Sequence, residues 1–209
     1  MSIRFLLLIC SMTLSVSSGR KFILDEDFYI EMEGYFSDLI ITVVIPNKYY
    51  LALAFGQTHI DTDMLIFVAN GPDSVVYDLY STGFEEPAKD DNQDIEVISK
   101  IYEADTKLVR FEIERPLDTG DPEDFVFEYD CPISMSFATS EHLPALEDNS
   151  GQFSEMFGMH TRHGYFDVTV YSPVHSEETI FQPYFIEGAV SGATYATLTA
   201  TMLLMTSLI

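Results

Sequence analysis

Cysteine and positive charge are the two things this chain has little of. It carries two cysteines in 209 residues, and Cys10 lies in a leading segment that reads as removable. Cys131 is then alone, so no intramolecular disulfide forms, and no Cys-X-X-Cys or other metal-ligand spacing exists. Set between Asp130 and Pro132-Ile133, Cys131 is expected to be a small buried apolar side chain. Without Arg4, nine basic residues face all 34 Asp and Glu, a net charge of −25. A surface of that sign repels phosphate backbones and anionic headgroups, which excludes nucleic acid as a partner. The sequence also lacks GxGxxG, the P-loop, GxSxG and HExxH, and it has no Asn-X-Ser/Thr acceptor for an N-glycan. With no defensible nucleophile–base set or close carboxylate pair, a binding or electron-transfer module is expected in preference to an enzyme.

The two ends differ from the middle. Arg4, the apolar run Phe5–Cys10 and the exit Ser17-Ser18-Gly19 make residues 1–19 a secretory signal peptide, cleaved near Ser18–Arg20. From Gly188 to Ile209 no residue is charged, and the last twelve are largely apolar. Small residues followed by a spacer and an apolar tail describe a glycosylphosphatidylinositol attachment signal, with Ser191 or Gly188 as the attached residue. The alternative is a single C-terminal membrane span, which the absence of Lys or Arg after Leu198 disfavours. Either way the chain is expected on the extracellular face of the plasma membrane, with 173–187 as a stalk.

Between these ends the pattern is short alternating or apolar runs separated by Gly, Pro, Asn and Asp. Ten runs read as strands: 28–32, 38–45, 50–55, 64–68, 74–80, 95–102, 108–115, 125–129, 133–138 and 165–171. The segment 103–107 has hairpin length, and Gly83–Gln93 reads as a loop. In 95–102 and 108–115 period two puts Glu and Arg on a wet face. No ten-residue helical pattern competes. The expected fold is all-β, an antiparallel immunoglobulin-like sandwich of about ten strands over residues 25–172.

Five histidines remain for chemistry: His59, His142, His160, His163 and His175. The order Tyr50–Phe55, Gly56, Thr62-Asp63-Met64, the run to Val68, Asn70-Gly71 and Tyr77-Asp78 is similar to the DOMON family. Pro87 with Asp90-Asp91, then Arg115-Pro116-Leu117-Asp118-Thr119-Gly120-Asp121, and His160 with Gly164 extend that resemblance. The family comprises extracellular β-sandwich modules related to the cytochrome domain of cellobiose dehydrogenase. Its haem-binding members hold iron with an early Met after the Phe-Gly strand and a late His. Here the resemblance puts His160 at the late position, with His163 as its rival, and His59 at the early one, with Met64 as a further option. It implies haem b held by His59 and His160 from loops at one end of the sandwich, or else no cofactor. Exchange of Met for His would lower the reduction potential. Phe55, Ile60, Met64, Phe153, Met156, Phe157 and Met159 lie near the two candidates in sequence.

Three functions follow from these readings: a cytochrome module with a redox partner, a haem-free recognition module for a glycan, or a structural surface protein. Asp61-Thr62-Asp63 and the group Asp90, Asp91 and Asp94 are oxygen-rich enough for calcium or zinc, but with no Asp-X-Asp-X-Asp-Gly loop they read as solvated loops. His142 and His175 read as solvated too.

Overall fold

Alternation of buried and half-exposed side chains turns most of the predicted runs into strands of two antiparallel sheets. The computed structural model describes residues 20–58, 60–83, 86–143, 160–172 and 184–186. His59, His175, the leader and the attachment residues Gly188 and Ser191 lie outside the described residues. One sheet has five strands in the order β1 (Arg20–Asp25), β2 (Phe28–Tyr35), β3 (Asp38–Pro46), β9 (Leu108–Pro116) and β8 (Glu96–Glu103). The other has seven, ordered β12 (Tyr184–Ile186), β11 (Arg162–Thr169), β10 (Pro132–Ser140), β4 (Tyr50–Ala54), β5 (Thr62–Val68), β6 (Val75–Ser81) and β7 (Ala88–Lys89). Strands therefore lie on both sides of the expected limits 25–172. Among the described residues no helix is long and apolar enough to cross a membrane.

The interior lies between the sheets. Phe22, Ile30, Ile41, Val43, Phe111 and Ile113 from the five-stranded sheet meet Leu51, Leu53, Leu65, Phe67, Met135 and Phe166 from the other. Each side chain of this size contributes ~1.5–3 kcal/mol when fully buried, so this face dominates stability. The seven-stranded sheet is unusual in being closed on its outer face as well. Tyr50, Ala52, Ala54, Met64, Ile66, Val68 and Leu79 form a second apolar cluster there, with Leu143 and Ala138 against it. Burial on both faces explains why β4 and the Met64–Val68 part of β5 are continuous apolar runs, where β9 alternates.

Four expectations are corrected. Residues 125–129 form no strand; their one backbone-to-backbone bond outside regular structure is Phe127 N to Leu117 O (2.8 Å), with Asp130 N to Val170 O (2.8 Å) following. Their rings nevertheless point inward, with Phe127 in the interior and Phe125 packed against it. β8 is an edge strand interrupted by a bulge between Val97 and Ser99, so Val97, Ile98 and Ile101 are exposed instead of one face being dry. Gly83–Gln93 contains the short strand β7. Cys131 is exposed, not buried, because Asp130 turns the chain outward at φ 61°. Its thiol contacts the Glu128 carboxylate at 3.4 Å, and that contact raises its pKa, making it a poor nucleophile.

Candidate functional site

The register of the seven-stranded sheet fixes where the histidines stand. His163 pairs with Ala138, Ala138 with Ala52, and Ala52 with Ile66. Residues in register project to one face, so His163 belongs to the closed outer face. His160 lies just ahead of β11, its ring 4.8 Å from that of His163 in an edge-to-face arrangement, and both are half-buried. Thr161 N and Oγ1 bond Thr139 O, which anchors this corner beside Tyr50, whose carbonyl accepts from Thr139 Oγ1. Met64 is on the same face, in the row of Ala54 and Ser136. Phe55 instead faces the interior, Ile60 is exposed, and His142 is an exposed residue bonded to Ser140.

His59 lies outside the described residues, so the same ladder fixes only the strand ends from which the two expected ligand segments depart. β10 runs antiparallel to β4, pairing Ser140 with Tyr50 and Ser136 with Ala54. The connection into β11 therefore leaves at the Tyr50 end, and the segment from Phe55 to Asp61 leaves at the Ala54 end. The five residues of β4, a rise of about 13 Å, separate those ends.

At the Ala54 end, between the sheets, sits a polar cluster that includes Asp63, expected above to lie in a solvated loop. Arg115 occupies an inward position of β9 after Val109, Phe111 and Ile113, and is 0% exposed. Its Nη2 donates to Asp63 Oδ2 at 2.7 Å and reaches Asp124 Oδ2 at 3.2 Å, while Nη1 donates to Phe125 O at 2.9 Å. The guanidinium lies over the rings of Phe127 and Phe55, at 5.3 and 5.5 Å. Asp63 Oδ2 also accepts from Phe125 N at 2.7 Å, which ties β5 to the long loop after β9. Asp63 is thus a buried strand residue.

Asp78, from β6, completes the group. It is 0% exposed, and neither of its carboxylate oxygens has a hydrogen-bond partner; Asp63 Oδ1 is likewise unbonded. One oxygen each from Asp63, Asp78 and Asp124 lies within 4.8 Å of the others. The main chain of Asp78 is clamped by Gln93, with Asp78 N to Gln93 Oε1 3.0 Å and Gln93 Nε2 to Asp78 O 2.8 Å, and by Asp90 N at 3.1 Å. Burial pushes the Asp78 carboxyl up to about 8, aided by the charges of Asp63 and Asp124. Burial also raises Asp63, to about 7, against the opposing pull of Arg115 and the Phe125 amide. Among the described residues, this is the set with the ligand chemistry for a hard cation.

In fold the chain is similar to the cytochrome b domain of pyranose dehydrogenase from Coprinopsis cinerea, with a TM-score of 0.52 and 8% identity over 68% of this chain and 76% of that one. It is similar too to the cytochrome domain of Myriococcum thermophilum cellobiose dehydrogenase, with a TM-score of 0.53 and 10% identity over 78% of this chain and 90% of that one. No curated protein matches it. The DOMON domain pattern matches residues 29–140, more than half of the sequence, and ends at the last residue of β10. Asp63, Asp78 and Arg115 all lie inside that match, on the strands whose motifs carry the resemblance, and the chain belongs to the DOMON family.

Proposed function

We propose that this DOMON chain is a cell-surface module that binds haem b and passes single electrons between a redox partner and an extracellular acceptor. The observation that carries the reading is the His160–His163 pair, 4.8 Å apart at the lip of a buried apolar face. The two solved structures of similar fold are both named as cytochrome domains, which supports the same choice. An imidazole beside an apolar wall fits one side of a haem. His160 or His163 would supply the nitrogen, and its neighbour would hold the ring in place. Tyr50, Ala52, Ala138 and Ile66 would keep water from that side. Haem iron held there would supply single-electron transfer. Surface residence rests on the leader at 1–19 and the charge-free tail from Gly188.

A haem-free recognition module, for a glycan, is the second reading, and the divergence of the two loop ends favours it. A visible spectrum of the full chain, expressed with ample haem and recorded oxidised and dithionite-reduced, separates the two. A Soret band with a low-spin reduced spectrum is expected. His160→Ala or His163→Ala should abolish it, and His142→Ala should leave it unchanged. His59→Ala tells whether the second ligand comes from the far end. Absence of a Soret band in the wild type would leave the recognition module as the function.

A further inference from the structure

The carboxylates between the sheets outnumber the cation beside them. Arg115 bonds Asp63 and the Phe125 carbonyl and pairs with Asp124 at 3.2 Å, which sets one positive charge against two negative ones, while its Nε and Asp124 Oδ2 have no hydrogen-bond partner. Asp78 adds a third carboxylate that Arg115 does not bond, buried completely, with both oxygens unpartnered. Its main chain is held by Gln93 and Asp90, and its carboxylate lies within 4.8 Å of those of Asp63 and Asp124. A buried charge left in this way is strongly unfavourable unless something positive faces it.

We propose that Asp63, Asp78 and Asp124 form a buried site for one divalent cation, Ca²⁺. Spacing, charge and donor type each argue for it. Calcium takes oxygens at about 2.3–2.6 Å, so two oxygens on one ion lie at most about 5 Å apart, and the three here fall within 4.8 Å. Three carboxylates and one guanidinium leave two negative charges, which a divalent ion neutralises and a monovalent one does not. The donors are all oxygen, which selects hard cations over zinc or copper. Magnesium keeps several of its waters in a strict octahedron, whereas calcium accepts an irregular set of carboxylate oxygens. The ion joins β5, β6 and the loop after β9, and its presence is independent of haem.

Calorimetric melting of the full-length chain at neutral pH, in EDTA and in millimolar calcium chloride, tests the site. Calcium at a hundredfold excess over its Kd is expected to raise Tm by about 5–10 °C. Asp78→Asn should lose that response, while Asp105→Asn, on the exposed β8–β9 turn, should keep it. A wild-type shift retained by Asp78→Asn, or lost equally by Asp105→Asn, would overturn the assignment. Should Asp78→Asn fail to fold, equilibrium dialysis of the wild type decides. One calcium per chain should remain bound in salt strong enough to screen the surface carboxylates. No retained calcium would mean that a proton on Asp78 occupies the gap.

Discussion

Asp78 makes the stability of this domain depend on pH in the opposite sense to a salt-bridged carboxylate. Its folded pKa, about 8, lies above the ordinary 3.8, so the folded state holds the proton more tightly than the unfolded chain does. The stability this contributes is present in full below about pH 4 and is lost as pH rises through about 8. In chelator, Tm should therefore fall across that range, by an amount worth on the order of a few kcal/mol, and Asp78→Asn should flatten the curve. Denaturant titration at a series of pH values reads it directly, and a wild-type curve that rises instead would remove Asp78 as its source. The cluster was partly legible in the sequence. Arg115 continues the inward phase of Val109, Phe111 and Ile113, Asp63 shares a phase with Leu65 and Phe67, and Asp78 shares one with Val76. Charged residues in an apolar phase signal a buried pair. What the sequence does not carry is the pairing, since Arg115 meets Asp63 across 52 positions.

The β2–β3 hairpin shows what one element asks of another. Gly34 sits in β2 where a Cβ would come 2.3 Å from Tyr129 Cε1 and 3.0 Å from Val170 Cγ1. Tyr129 in turn donates its hydroxyl to Phe36 O at 2.7 Å, at the turn where Phe36 adopts φ 54°. Gly34→Ala must displace that ring and break its bond, so a loss of ~1–3 kcal/mol is expected by denaturant unfolding. Tyr129→Phe should lose less, because the ring stays; equal losses would mean that packing contributes nothing here. The same segment shows why strand reading erred at 125–129. Period two records which way side chains point, and Phe125 and Phe127 do point inward, but it carries no information about a partner backbone. The loop uses the pleat without the ladder, because its carbonyl and amide groups at Phe125 serve Arg115 and Asp63. The edge strand β8 was misjudged for a related reason, since its bulge is set by pairing to β9 and not by its own alternation.

Across the whole molecule, two sheets are held by a greasy interior and, at one end, by four charged side chains, with no covalent staple among the described residues. The strand alternation was readable because each run states its own pattern, whereas the relative placement of loop ends needs the register of β10 on β4. Those four side chains come from β5, β6, β9 and the loop that follows it. Contacts between such distant segments form only once both sheets have docked, and burying charge before that point is unfavourable. Arg115→Met leaves the carboxylates without their partner and should cost about 3–5 kcal/mol at equilibrium. In stopped-flow experiments that loss should appear as unfolding faster by on the order of a hundredfold or more, with refolding little changed. Refolding slowed by the same factor would place the cluster in the nucleus. The closed end of the sandwich thus acts as a latch in time: it sets how long one molecule stays folded, while the apolar strands set how quickly it gets there.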